Sequence, residues 1–314
     1  MGAFETRTLR RIVLKGEIMK RKQKTSEATF RIIVFTVLAV FSIIFVIMLG
    51  WTVLNSLKTK EDFNFYPLAF PKQLRFDNYS KVFGVLYIDV LKVGVGMIRY
   101  NFSSMFINSL IYAVGCTFFT IFPKAICGYV FAHYNFRMKK FLFNLAMVVM
   151  ILPVIGALAS ELSIMKFLGI YDNVLALMVM KAGFGGMDFL IFYTVYKGVS
   201  WEYAEAALVD GAGPFKIMMS IMLPMGKATI AIFSLTSFIT FWNDWSVNVV
   251  YLPSWPVAAY SLYYFQNSTN NVIAEGGVPF ILTSSIIFCM PIFVLFIVFK
   301  KQMFENLNFG GLKG

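Results

Sequence analysis

The residues best suited to chemistry in this chain lie together in one apolar run: Phe241-Trp242-Asn243-Asp244-Trp245, followed by Ser246 and Asn248. Polar groups are expensive inside a membrane, and an acid at that depth is expected to face protein rather than lipid. Trp242, Asn243, Asp244 and Trp245 supply what sugar recognition needs. Indole faces stack on C–H surfaces, and carboxylates and amides bond hydroxyls. The same four residues also suit a plainer role, with Asn243 and Asp244 fastening helices and Trp242 and Trp245 marking an aromatic belt. Both readings stand on the sequence. Other chemistry is absent. A lone His133 cannot form a metal site or a catalytic relay unaided. Cys116, Cys127 and Cys289 lie in apolar runs without metal spacing and read as small core residues. No phosphate-cradling GxxxxGK[ST] occurs, so the chain is expected to bind no ATP. With no GxSxG, HExxH or workably spaced carboxylate pair, nothing argues for an enzyme.

A second constellation is polar and lies between apolar runs. Residues 201–209 are rich in Ala, Glu and Leu and predict a short helix. Asp210-Gly211-Ala212-Gly213 ends it, Pro214 opens a second helix where a missing N–H costs nothing, and Pro224 closes that one. The small face of Ala204, Ala206, Ala207, Gly211 and Ala212 invites close approach by another protein's backbone. Glu205 and Asp210 flank it.

The elements that must position these groups follow from composition. The 314 residues are 59% hydrophobic and 14% charged, against about 25% charged in soluble domains. The net charge of +12 is concentrated beside apolar runs rather than in a basic stripe, which points to membrane topology and not to nucleic acid. Residues 1–29 form a basic tail expected in the cytoplasm near anionic headgroups. Six spans are predicted at 30–54, 105–134, 141–159, 174–196, 228–251 and 280–299, each near the roughly 20 residues a bilayer core requires. The second carries Pro123 and a snorkelling Lys124, the third Pro153. The fourth is loosened by Gly183, Gly185 and Gly186 and holds Asp188. Residues 58–104 form an outer segment in which 82–98 predicts a surface-lying helix. The outer loop 252–279 has no Lys or Arg, one acid (Glu275) and an aromatic cluster, Trp255, Tyr260, Tyr263, Tyr264 and Phe265. The Lys/Arg bias puts both termini and the hairpin 201–224 inside. The fold class is an all-α integral membrane protein, with one membrane domain over 30–314. A carrier driven by an ion gradient would favour a relay of intramembrane acids; only Asp188 and Asp244 are on offer, and no internal repeat is visible.

The order Glu205-Ala206-Ala207, three residues, Gly211, nine residues, Ile221-Met222-Leu223-Pro224 resembles the EAA loop of ABC-importer permeases. Asp210-Gly211-Ala212-Gly213-Pro214-Phe215 is similar to its sugar-importer branch. The likeness extends through Asn78–Phe83, Asn108-Ser109-Leu110-Ile111, residues 125–136 and Gly169-Ile170-Tyr171-Asp172-Asn173, which look like the second permease of maltodextrin-type importers. That resemblance implies a type I importer permease fold and a bacterial inner-membrane location. It also implies a binding-protein-dependent importer of oligosaccharides. Its partners would be a homologous second permease, two ATPase subunits that hold ATP and Mg, and an extracytoplasmic binding protein. Glu205, Ala206, Ala207, Asp210, Gly211, Ile221, Leu223 and Pro224 would couple to an ATPase. Trp255, Tyr260, Tyr263 and Tyr264 would meet the binding protein. The chain departs from the family at His133, at Trp201–Tyr203 and in the longer segment 87–103, the last being more like the branch that handles polymer-derived saccharides.

Overall fold

A computed structural model of the chain describes residues 2–92, 94–151, 156–267 and 276–305; Pro153 and Glu275 fall outside these. Among the described residues, three helices are each long and apolar enough to cross a membrane: residues 27–56, 102–133 and 278–301. The first is the apolar part of α1 (Gly2–Ser56), so the basic tail continues the first span as one helix about 80 Å long. Its side chains from Phe30 to Leu49 are largely exposed, and it packs mainly on α15 (Val278–Glu305).

The centre of the molecule is α4 (Phe102–His133), which runs unbroken through Pro123. It packs most heavily on α8 (Met187–Lys197) and α12 (Lys227–Trp242). Small residues set the spacing: a Cβ at Gly128 would come within 2.6 Å of the Phe192 Cβ. Lys124 on α4 pairs with Asp188 on α8 at 2.7 Å, so the snorkelling lysine is an interhelical tie.

The expected third and fourth spans are composites. The third is α5 (Lys139–Ile151) followed by α6 (Ala157–Phe167). The fourth breaks into α7 (Val174–Met180) and α8, with Lys181–Gly186 between them. Gly186 takes φ +99°, which a side chain would resist. The fifth span likewise stops at Trp242 and resumes as α13 (Ser246–Val250).

Outside the spans, the surface helix predicted over 82–98 is replaced by α3 (Asn78–Val85) and a two-stranded antiparallel hairpin, β1 (Tyr87–Lys92) and β2 (Gly96–Asn101). Tyr87-Ile88-Asp89-Val90 alternates with a period of two, and Gly94 and Gly96 take positive φ at the turn. Apolar content suggested a helix; the period decides for strands. Arg99 bonds Asp89 across the hairpin at 2.9 Å and holds its carboxyl below the usual range. Buried Asn78 donates to the Ser56 and Lys58 carbonyls at 2.8 and 3.0 Å, tying this segment to the end of the first span. Within the outer loop, α14 (Ala258–Asn267) is helical.

Candidate functional site

The hairpin predicted over 201–224 begins at α9 (Glu202–Val209). The exit is Asp210-Gly211, with Gly211 at φ +78°. The second arm is α10 (Pro214–Ile217), a wide π-turn over Met218–Met222 and α11 (Leu223–Met225). The turn has a local cause. Leu223 N–H donates five residues back to the Met218 carbonyl just before Pro224, which has no N–H to continue an ordinary ladder. Pro224 therefore lies inside the arm's last turn, and Gly226 ends the arm, two residues later than the sequence implies.

At Gly226 the chain bends by 75° into α12. Tyr196 fits against that bend: its hydroxyl donates to the Leu223 carbonyl at 3.3 Å, and a Cβ on Gly226 would lie 2.5 Å from it. Ala204 and Ala207 face inward and are buried with Ile217, Met222, Leu223, Tyr129, Phe192 and Tyr196. The small face is thus divided. Ala204 and Ala207 serve this chain's own packing, while Ala206, Glu205, Asp210 and Gly211 are exposed. Exposed Tyr203, Leu208, Val209 and Phe215 share the hairpin's outer surface, Val209 at 87% and Phe215 at 72%. Ile221 is half-buried, Leu223 buried and Pro224 exposed. Trp201 anchors the hairpin's base, with its ring 5.0 Å from His133 and 5.8 Å from Tyr134. His133 and Trp201, two of the departures from the family pattern, are therefore in contact with each other.

The polar group at the end of α12 divides differently. Trp242 is 1% exposed, stacks on Phe238 and Phe288, and donates its indole N–H to the Phe288 carbonyl at 3.0 Å. It has no free face for a sugar within this chain, which corrects its place among the path residues. Asn243 ends α12 and folds its amide back to the Ile239 carbonyl at 2.8 Å, exposed. Asp244 accepts from Ser246 Oγ at 2.7 Å and Val247 N–H at 3.2 Å, starting α13, and from the Tyr112 hydroxyl of α4 at 3.2 Å. Trp245 is 43% exposed and stacks at 4.2 Å on Tyr263, itself 41% exposed.

Of the outer aromatics, Trp255, Tyr260 and Tyr264 are half-buried against the core, and Tyr263 is the exposed one. Asn248 builds the turn before them: it donates to the Leu252 carbonyl at 2.7 Å and accepts from Val257 N–H at 2.9 Å. Asn108 and Ser109 of α4 clamp the same turn, at the Pro256 carbonyl and the Ala258 N–H. Sequence reading passed over Lys181. It occupies the break in the fourth span, with its ammonium 5.7 Å from the centre of the Tyr251 ring. Its signal was a lysine inside an apolar run.

No family model matches the chain. It is 21% identical over 297 residues to the diacetylchitobiose uptake system permease protein of Streptomyces coelicolor, covering 93% of this chain and 92% of that one. It is 23% identical to the melibiose/raffinose/stachyose import permease protein of Bacillus subtilis, covering 83% and 88%. Among solved structures, a chain of a bacterial ABC transporter that imports the acidic polysaccharide alginate superposes with TM-score 0.70 at 16% identity, over 88% of this chain and 97% of that one. Sequence and fold agree: the chain is a relative of the permease subunits of carbohydrate ABC importers, a non-catalytic multi-pass protein of the inner membrane.

Proposed function

We propose that this chain forms half of the translocation path of a binding-protein-dependent importer for oligosaccharides. A second, homologous permease supplies the other half, and the hairpin 201–224 couples both to ATPase subunits. ATP and magnesium belong to those partners. The observation that carries the reading is the two-faced hairpin. Its inner face is fixed to α4 and α8 through Ala204, Ala207 and Tyr196, while Glu205 and Asp210 lie exposed among Tyr203, Leu208, Val209 and Phe215. A body that docks on that surface and moves drives the spans through the bend at Gly226 as a rigid lever. Residues 1–29 are then a cytoplasmic tail. Asn243, Asp244 and Trp245 are the path candidates that remain, and Tyr263 is the outer aromatic best exposed to a binding protein.

The test is capture of the chain from detergent-solubilised native membranes, followed by ATPase assays with the binding protein and a panel of oligosaccharides. Recovery of an ATPase and a sister permease, with turnover raised by a saccharide, supports the reading. A chain that purifies without any ATPase overturns it.

A further inference from the structure

A crevice of about 520 Å³ joins the two limbs of the bend at Gly226, and its size is that of a ligand site. Phe118 and Phe122 of α4 form one wall, with their rings stacked at 5.0 Å. Pro224 of the hairpin's second arm, Ser234 of α12 and Phe299 near the end of α15 form the others. The lining is apolar almost throughout. The Thr117 hydroxyl is buried, so the surface which that residue offers is apolar too, and Ser234 adds one hydroxyl. A saccharide needs many more polar partners, so the crevice does not suit a sugar cargo.

Its mouth is positive. Lys227, the first residue of α12, lines the crevice and is exposed. It has no carboxylate within 4.0 Å and no hydrogen-bond acceptor for its ammonium among the described residues. α12 starts there with no side-chain cap and no acid in its first turn, so the positive end of the helix dipole adds to the lysine. Phe299 leads straight on to Lys300 and Lys301. Ser234 lies about 10 Å further along α12 than Lys227. The crevice therefore has a cationic end beside the hairpin and an apolar end directed into the membrane. With the hairpin inside, that is the polarity of a lipid in the inner leaflet. The surface of that leaflet is negative, and basic pockets between spans on that side bind anionic head groups. Phe118, 53% exposed, leaves the crevice open sideways.

We propose that the crevice holds one acyl chain of an anionic phospholipid from the inner leaflet, with its phosphate on Lys227, and that this lipid sets how firmly the hairpin is coupled to α12. The acyl chain touches both limbs of the bend, Pro224 before Gly226 and Ser234 after it, and so braces the angle between them. The lipid site rests on the hairpin lying inside; the coupling role rests in addition on the importer reading.

The experiment uses the assembled importer, purified in detergent, delipidated and incubated with phosphatidylglycerol and phosphatidylcholine in equal parts. Native mass spectrometry reads the lipid retained. The parent is expected to retain at least tenfold more phosphatidylglycerol than phosphatidylcholine. Lys227→Gln is expected to lower that preference at least fivefold and Lys227→Arg to keep it. Ser234→Phe, which fills the crevice, should remove one retained lipid per copy of this chain. Lys227→Gln changes an exposed residue and guards against a Ser234→Phe chain that fails to fold. In nanodiscs, adding phosphatidylglycerol to phosphatidylcholine should raise substrate-stimulated ATPase at least threefold in the parent and in neither Lys227→Gln nor Ser234→Phe. Equal retention of the two lipids, or parent-like retention in both variants, overturns the proposal and leaves the importer standing. So does retention by this chain alone that is lost in the assembled importer, which would place the sister permease in the crevice. Selective retention without a gain in stimulation overturns the coupling role alone. A preparation that retains the lipid through Lys227 but holds no ATPase overturns the importer reading instead.

Discussion

At the scale of single residues, the polar groups inside the spans are held by geometry the sequence does not print. Asp244 starts α13, where an acidic cap is worth about 1 kcal/mol, and also receives the Tyr112 hydroxyl. Asp244→Ala should therefore lower stability by about 1–2 kcal/mol in a thermal melt of the detergent-solubilised protein. Asp244→Asn, which keeps an acceptor, should lose much less. If substrate-stimulated ATPase is unchanged in Asp244→Ala, Asp244 serves the scaffold alone. Lys124 and Asp188 give the complementary case. Lys124→Met leaves a carboxylate without its partner and should cost up to about 3 kcal/mol, the low end for a buried pair because Asp188 keeps some exposure. Lys124→Met combined with Asp188→Leu should recover most of that loss, read in the same melt. The acid and aromatic types were legible as intramembrane polar groups; their directions were not. Trp242 and Trp245 are three residues apart, yet one is sealed between Phe238 and Phe288 and the other is exposed on Tyr263. Only the break at Asn243–Asp244 separates their fates, and helical periodicity alone carries no sign of it.

At the scale of elements, the hairpin was the most legible part, because Gly and Pro punctuate it: α9, the Gly211 exit and Pro214 fall where the residues predict. What could not be read is the close packing behind it. Gly226 reads as a flexible joint, but the Tyr196 hydroxyl against it makes a fixed bend. Gly226→Val should push Tyr196 off the Leu223 carbonyl and loosen the hairpin from α12. The expected readout is ATP hydrolysis that no longer responds to substrate, in a complex that still assembles. Retained stimulation would mean that the bend is not the lever. Gly211→Val tests the exit. Positive φ with a branched side chain costs about 1–2 kcal/mol, and uptake should fall although the spans remain folded. The β-hairpin was missed for the converse reason. Its apolar content outweighed its two-residue alternation, and the glycines at 94 and 96 that close it lie beyond the strand that shows the period.

At the scale of the whole molecule, the question is how many times the chain crosses. Among the described residues three helices suffice by length, and a fourth does if the bent pair 214–242 counts as one. The remaining crossings have to be assembled from α5 with α6 and from α7 with α8. Tests on the termini do not decide this, because removing two crossings leaves the parity unchanged. The link 168–173 does. With six crossings it lies outside, beside the loop that Asp172 joins through Ser254 N–H; with four it stays inside with the hairpin. That contact with the 252–258 turn argues for six, since the same turn is clamped to the outer end of α4 by Asn108 and Ser109. Leu168 is 58% exposed, so a cysteine there is accessible. In intact cells Leu168→Cys should react with a membrane-impermeant maleimide, and a cysteine at exposed Ala206 should react only after permeabilisation. Labelling of position 168 only after permeabilisation would reduce the fold to four crossings and turn the broken fourth span into a surface element.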